Sequence, residues 1–436
     1  MRNIKNITQY ENIGIVGMAR SGIAAAKKCK QLGLNIFLSD AQPREKFTNI
    51  DEILSLGHCE FGGHTEKLLE MDLLIVSPGI SQDIAILKKA KEKGIPLWSE
   101  IELGYRLTHP NTNIIAVTGS NGKSTTCSLI HHILKQKGLK GILAGNIGDA
   151  YCSYEIENEL DYIVLEISSF QLELIEDFRP KTAIILNITP DHLDRYETID
   201  DYAQAKFNIK KNLQKGDLLI IGKDVETNYG KKFIPEDFKP EIIIYDEVKT
   251  DFDITKLDLP LKGPHNTQNI MAALIGVGSY ISFGGIIDII MSFKPLEHRL
   301  EPVLTHKGVE YINDSKATNT DSVKYALQSF DKPIHLILGG YDKGEDFSTL
   351  IDFMKNRVKR LYLIGNVAEK MKSIFQGLFE LEVYTSFEKA IQATKDNAQS
   401  DEIVLLSPAC ASYDWFKNFE ERGRIFKTIL GGMIDV

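Results

Sequence analysis

The residues best suited to do chemistry form one run, Thr118-Gly-Ser-Asn-Gly-Lys-Ser-Thr125, set between the apolar segment from Asn113 and a helical segment, Thr126 to Lys137. Glycines in such a loop let the backbone turn tightly and aim N–H groups at phosphate oxygens, and the helix start adds partial positive charge. There Lys123 can neutralise the outer phosphates of a nucleotide, while the Ser124 hydroxyl can ligate Mg²⁺. Position 117 is Val, so of the pattern G-x-x-x-x-G-K-[ST] only Gly119-x-x-Gly122-Lys-Ser is met. The short pattern also occurs as an ordinary strand-to-helix turn; the flanking strand and helix favour a nucleotide. Gly119, Asn121, Gly122, Lys123, Ser124 and Thr125 are the candidate phosphate-binding residues.

A magnesium ion needs further oxygen ligands near that loop. Glu166 ends the apolar run Tyr162-Ile-Val-Leu-Glu166. At the carboxyl edge of a parallel sheet it would face a nucleotide crevice, although an exposed strand-end Glu explains the position equally well. Asp191-His-Leu-Asp194 follows the next strand, which ends at Asn187, and His192 matters only because it shares that edge. Lys206, taken alone, reads as a solvated helix lysine. Near the N-terminus, Gly14-x-x-Gly17-Met-Ala-Arg-Ser-Gly22 departs from G-x-G-x-x-G. It reads as a generic nucleotide-binding turn, with Asp40 at the end of the second strand where a ribose partner would stand.

The elements that must carry these groups alternate between short β-branched runs and amphipathic stretches, the mark of parallel α/β sheets. Strands are expected at Ile13–Gly17, Asn35–Asp40, Leu73–Ser77 and Ile95–Trp98; at Asn113–Thr118, Tyr162–Glu166, Ala183–Asn187 and Asp217–Ile221; and at Pro333–Leu338, Arg360–Ile364 and Glu402–Ser407. A length of 436 residues suits about three domains, with boundaries expected near 100 and 295. The run Lys88–Lys93 reads as a solvated helix face.

Composition narrows the function. Lys and Arg total 51 against 60 Asp and Glu, a formal charge of −9, which argues against a general nucleic-acid or anionic-membrane binder. Five scattered cysteines without a C-x-x-C pair argue for reduced thiols in a cytoplasm. The start lacks a signal-peptide pattern. Ala272–Phe293 is apolar but interrupted by glycines and Asp288, and is expected to be buried helix in a soluble protein.

Together these motifs closely resemble the Mur ligase family of cell-wall, ATP-dependent amino-acid ligases. The resemblance runs through Gly145-Asn-Ile-Gly148, Glu166-Ile-Ser-Ser-Phe-Gln171, Asp191–Tyr196, Ala205-Lys206 and His265-Asn-Thr-Gln-Asn269. It continues through His298-Arg299, Asn313–Asn319, Gly339-Gly-Tyr-Asp-Lys-Gly344 and Ser407–Asp414. No arginine signature of the diaminopimelate- or lysine-adding members is apparent, and Ser407–Phe419 looks like the D-glutamate-adding ones. The resemblance implies an α/β protein of three domains. These are a Rossmann-like N-terminal domain for the UDP substrate (1–100), a central P-loop ATPase-type domain (101–294) and a C-terminal Rossmann-like domain for the amino acid (295–436).

The resemblance also implies roles. Lys123 would hold the γ-phosphate; Ser124 and Glu166 would ligate one Mg²⁺ and His192 a second. Lys206 matches the family lysine carbamylated by CO₂. Asn269, Arg299 and Asp314 match contacts to ATP, whereas Lys316, Thr318, Lys343, Ser412 and Phe419 match those around D-glutamate and the reacting acyl group. Met18, Ala19, Arg20, Ser21, Asp40, Gly79 and Asn146 would line the UDP-sugar path. The family often has an Arg shortly after that Asp, whereas Asp40 is followed by Ala41-Gln42. The implied partners are UDP-N-acetylmuramoyl-L-alanine, D-glutamate and ATP, without nucleic acid or membrane, acting on a monomer in the cytoplasm. Alternatives are a folylpolyglutamate synthase-like ligase, a P-loop NTPase switch without ligase activity and, from the first fifty residues, a NAD-dependent oxidoreductase.

Overall fold

A computed structural model describes residues 7–191, 195–249, 257, 259–261 and 263–432. The chain divides into two compact units, one of Met1–Ile188, Thr198–Lys249 and Ile270–Ile289, the other of Thr189–Glu197, Thr250–Asn269 and Ile290–Val436. The first unit holds two sheets and the second holds one, each covered by helices.

The first sheet is all parallel, built from β1 (Asn12–Val16), β2 (Asn35–Asp40), β3 (His58–Phe61), β4 (Leu73–Val76) and β5 (Leu97–Trp98) in the order β3-β2-β1-β4-β5. Alternation along the strands fills both faces. Ile13, Ile15, Leu73 and Ile75 pack with Ala24–Ala26 and Cys29, and Val16, Leu74 and Val76 pack with Ile86, Leu87 and Ala90. Burial on both sides explains why these strands read as unbroken apolar runs. The strand order reverses between β1 and β4, and in open parallel sheets the carboxyl ends at such a switch point are where a crevice opens.

The second sheet is also parallel. Its strands are β6 (Asn113–Thr118), β7 (Gly141–Gly145), β8 (Tyr162–Glu166), β9 (Thr182–Ile185), β10 (Leu218–Ile221) and β11 (Glu241–Ile244), in the order β11-β10-β9-β6-β8-β7. β6 lies between β8 and β9, so the carboxyl ends of three strands meet where the glycine loop begins. The second unit's sheet contains β12 (Glu301–His306), β13 (Val309–Asn313), β14 (Ile334–Gly339), β15 (Val358–Ile364), β16 (Leu381–Val383) and β17 (Ile403–Leu406), in the order β12-β13-β17-β14-β15-β16. Only β12 runs antiparallel to its neighbour.

All the expected strands are present, within a few residues at their ends. β3, β7, β11, β12, β13 and β16 were not expected. Five of them, all but β13, lie at sheet edges, where one side needs no apolar run: β11 is half exposed, β7 carries two glycines, and β12 carries Glu301 and Pro302. The reading of Ala272–Phe293 as one buried helix is corrected: it is parts of two helices, Pro264–Val277 and Ile286–Met291. Gly278 and the Gly284-Gly285 pair lie between them, with Gly285 at φ +70°. No helix among the described residues is long and apolar enough to cross a membrane. The Lys88–Lys93 run does form a helix face, with Ile86, Leu87 and Ala90 turned inward.

A buried ionic knot joins the helix Glu100–Leu107, which leaves β5, to the turn before β9. Glu102 and Arg106 pair at 2.6 Å with both side chains fully buried. The Glu102 carboxylate also accepts the N–H groups of Glu176, Asp177 and Phe178 at 2.9–3.0 Å, and Arg106 reaches Asp177 at 2.8 Å and stacks over Trp98. Removing the Glu102 carboxylate leaves three N–H groups without their acceptor and Arg106 with only partly exposed carboxylates, Glu176 and Asp177, as partners. Glu102→Ala is therefore expected to cost about 3–5 kcal/mol of unfolding free energy. Asp83→Ala, which breaks an exposed pair with Lys88, should cost under about 1 kcal/mol; denaturant unfolding of both variants checks the contrast.

Candidate active site

The glycine loop begins where β6 ends. Gly119 (φ +150°) and Gly122 (φ +85°) occupy backbone regions that side chains disfavour, and a Cβ at Gly119 would press on Leu186 and the Asn187 amide. Asn187 shapes the loop from β9. Its carbonyl accepts the Ser120 N–H at 2.9 Å, and its side-chain amide brackets Asn121, accepting the N–H at 2.8 Å and donating to the C=O at 3.1 Å. The helix Lys123–Gln136 then starts behind Gly122, which supplies no side-chain cap. Helices at Glu100, Ser169, Ile199 and Thr320 do have side-chain caps. A helix start carries partial positive charge, and one without a carboxylate or hydroxyl cap of its own suits an anion.

Two ammonium groups converge on this loop. Lys123 Nζ donates to the carbonyls of Gly119 (2.8 Å) and Ser120 (2.7 Å). Lys206 Nζ donates to the same Gly119 carbonyl at 2.8 Å and lies 4.3 Å from the Tyr202 ring centre. Lys206 is 1% exposed. Its reading as a solvated lysine is therefore corrected: its helix packs its face against the loop. Glu166 is likewise buried, not an exposed strand end. Asn146 donates its side-chain N–H to Glu166 Oε1 at 2.9 Å and its backbone N–H to the Glu166 carbonyl at 2.9 Å. Ser124 and Thr125, both buried, lie in the first turn of the helix. A serine hydroxyl and a carboxylate are hard oxygen donors, and that donor chemistry fits Mg²⁺. His192 lies outside the described residues.

At the carboxyl end of the first sheet, Gly17 (φ +93°) turns the chain, its carbonyl accepting from Ser77 Oγ at 2.9 Å. A Cβ at Gly22 would strike that carbonyl. Asp40 is buried and pins both turns: its carboxylate accepts the Met18 N–H at 2.6 Å and the Gln42 N–H at 2.8 Å. The helix Arg20–Gln31 follows Ala19 without a side-chain cap. A hollow of about 310 Å³ is lined there by Met18, Ala19, Arg20, Lys27, Asn49 and Ser153. Arg20 donates to the Gly148 carbonyl at 2.7 Å, so the Gly145–Gly148 loop connects this turn to Glu166. Gly79 is exposed in the turn that follows β4.

In the second unit, neighbouring β13, β17 and β14 deliver three loops. Gly339 N–H donates to the Pro408 carbonyl (2.8 Å) and Tyr341 N–H to that of Ala411 (2.9 Å), which sets the Lys343 loop beside the Ser412 loop. Asp314, after β13, accepts from Ser407 Oγ at 2.8 Å and from the Leu300 N–H at 3.2 Å; burial pushes its carboxyl up to about 6, opposed by Arg299. Lys316 Nζ sits 5.3 Å from the Phe419 ring centre. Asn269 is buried and donates to Asn266 Oδ1 at 3.1 Å. Lys343 pairs with Asp191 at 2.9 Å, and Asp191 also accepts from Asn319 Nδ2 at 3.3 Å. Thr318 occupies the half-buried turn just before Asn319.

Three groups here were not picked out from the sequence. In the sequence Asn187 marks only the end of a strand. Asp191 carried no role of its own. Arg422 was unremarked in a charged helix, yet is 1% exposed. It donates to the Ser315 hydroxyl (3.0 Å) and carbonyl (2.8 Å) and to the Cys410 carbonyl (3.1 Å), so it ties the Asp314–Lys316 loop to the Ser407–Ser412 loop. Burial lowers its pKa to about 10. Only its position in an otherwise apolar stripe, Arg422, Phe426 and Leu430 at helical spacing, could have marked it.

Three family models match in order: "Mur ligase MurD-like, N-terminal domain" over residues 11–99, "Mur ligase middle domain" over 117–277 and "Mur ligase, glutamate ligase domain" over 298–410. A protein of Koribacter versatilis named UDP-N-acetylmuramoylalanine–D-glutamate ligase is 40% identical over 97% of both chains. One of Cytophaga hutchinsonii with the same name is 41% identical over 96% of this chain and 98% of its own. Among solved structures, UDP-N-acetylmuramate-alanine ligase MurC of Thermotoga maritima superposes with a TM-score of 0.61 at 17% identity, covering 97% of this chain and 99% of that one. With the glycine loop after β6, the turn after β1 and the loops of the third sheet in the places these matches span, the chain belongs to the Mur ligase family.

Proposed function

We propose that this chain is an ATP-dependent ligase that joins D-glutamate to UDP-N-acetylmuramoyl-L-alanine, a step in building peptidoglycan precursors in the cytoplasm. The observation that carries the reading is the double ammonium contact on Gly119, at the foot of an uncapped helix, with the Glu166 carboxylate at the end of the neighbouring strand. That combination of fixed positive charge and one oxygen ligand suits a triphosphate with its cation.

Forming an amide from a carboxylate in water is uphill, and a carboxylate carbon is a poor electrophile. Transfer of the γ-phosphoryl group of ATP to the alanyl carboxylate gives an acyl phosphate and ADP. The neutral amine of D-glutamate attacks the acyl carbon; the tetrahedral adduct loses a proton from nitrogen and collapses to the amide as the C–O bond to inorganic phosphate breaks. Phosphoryl transfer needs alignment and charge neutralisation more than covalent help. Lys123 supplies charge at the γ-phosphate, the loop N–H groups hold the phosphate oxygens, and the turn Met18–Ser21 with Arg20 holds the UDP end. Asn146 positions Glu166 while lying on the loop that Arg20 contacts. Asn269, Arg299 and Asp314 complete the ATP contacts; Lys316, Thr318, Lys343, Ser412 and Phe419 receive D-glutamate and the anionic acyl group. Gly79 and Asp40 line the sugar-nucleotide path, with Asp40 acting through the two turns it pins.

Magnesium held by Ser124 and Glu166 would spread the phosphate charge, and His192 would hold a second ion. A carbamate on Lys206, formed from its neutral amine and CO₂ with release of a proton, would put an anion within reach of Lys123, and so match the positive charge on the loop. The MurD-like first domain and the D-glutamate-type relatives favour this ligase over a folylpolyglutamate synthase-like one.

Incubating the protein with ATP, UDP-N-acetylmuramoyl-L-alanine and each of a set of amino acids should give one product, heavier by a single glutamate residue and formed from D- rather than L-glutamate. Joining no amino acid would refute the ligase, and phosphate release independent of both acceptors would favour a nucleotide switch. Lys123→Ala should lower kcat by on the order of 10²–10³-fold or more, the effect of losing one charge-stabilising group; near-normal turnover would remove the loop from the mechanism. For Lys206→Ala, short carboxylic acids should restore part of the lost activity, and indifference to them would count against the carbamate.

A further inference from the structure

The turn Thr318–Thr320 and the loop Lys343–Glu345 are closed into a ring by two carboxylates. Asp191 forms one side, accepting from Asn319 and pairing with Lys343. Glu345 forms the other, its Oε2 accepting both the Thr320 backbone N–H (2.9 Å) and the Thr320 hydroxyl (2.8 Å). Glu345 itself is anchored, because its N–H donates to Asp342 Oδ1 at 3.1 Å and Asp342 also takes the Gly344 N–H and pairs with Lys370.

The helix Thr320–Gln328 therefore starts with its Thr320 N–H on Glu345 and its Ser322 N–H on the Asn319 side chain. A carboxylate at a helix start is also favoured by the helix dipole. The ring borders a cavity of about 260 Å³ lined in part by Asp191, Thr320, Lys343 and Glu345. Gly344, between Lys343 and Glu345, has φ +89° and open space around it. Local backbone preference there does not fix the direction of Lys343; the anchors on either side do.

We infer that Glu345 is a positioning residue, a strut that holds Lys343 at a set distance from Thr318 and thereby tunes the KM for the amino-acid substrate. This rests on the reading of Thr318 and Lys343 as D-glutamate contacts. The strut works through hydrogen bonds to Thr320, so an uncharged acceptor of the same shape should preserve it.

The test uses the full-length enzyme and steady-state kinetics with each of the three substrates varied in turn, together with thermal melting. Glu345→Ala should raise the KM for D-glutamate about tenfold, as expected for losing hydrogen bonds to a charged acceptor. Its kcat and its KM for ATP and the UDP substrate should stay within about twofold, as for lost ground-state positioning. Glu345→Gln should stay within about threefold of wild type throughout, because its amide oxygen can accept both donors. Thr320→Val, which removes only the hydroxyl bond, should fall between the two and serves if Glu345→Ala does not fold. An unchanged KM for D-glutamate in Glu345→Ala, or in Thr320→Val should that variant be the one that folds, would overturn the strut. So would a parallel loss in all kinetic constants, or Glu345→Gln as impaired as Glu345→Ala. A wild-type enzyme that joins no D-glutamate would overturn the underlying reading as well.

Discussion

The Gly119 carbonyl accepting from two lysine ammonium groups is the contact on which the rest of the first unit depends. A loop that gathers this much positive charge is costly unless an anion completes it or the surrounding dipoles are arranged to meet it. The left-handed glycines, the bracketing Asn187 amide and the uncapped helix start all serve that arrangement, and each loses its purpose if the loop is displaced. The two sheets of this unit are then held by the buried Glu102–Arg106 knot and by Arg20 on the Gly148 carbonyl. In consequence the turn read as the UDP site and the loop read as the ATP site share one scaffold.

The second unit solves a different problem. Its one sheet brings the ends of β13, β17 and β14 side by side, but loops alone would leave Lys316, Lys343 and Ser412 poorly fixed. Arg422 supplies the fastening from the last helix, satisfying carbonyls of two loops at once. A buried guanidinium with this many acceptors is worth more for geometry than for stability, since the desolvation it suffers offsets much of what its contacts return. Asp191 and Glu345 perform the same task on the other side of Lys343. Buried polar side chains thus fasten these loops to one another and to the last helix.

The parts of the fold that were legible in the sequence share one property: local physics alone accounts for them. β1, β4, β6, β8 and β9 are buried on both faces and show as apolar runs, and the glycine loop carries its own phosphate chemistry. Missed strands such as β7 and β12 draw their ordering from a neighbouring strand, which leaves no periodic signal. The same reason explains the break near Gly278–Gly285, where hydropathy continued across a backbone that does not.

Side chains that act across long sequence separations were out of reach for the same cause. Lys206 and Gly119 lie 87 residues apart, and Arg422 and Ser315 lie 107 apart; spacing along a chain says nothing about partners at that range. Sequence by itself determined the class of fold, the order of the sheets' cores and the chemistry each motif could perform, because those follow from residue type and short periodicity. Tertiary structure alone decided which lysine is buried, which carboxylate pins a turn and which arginine joins two loops, because burial and pairing are properties of the packed chain.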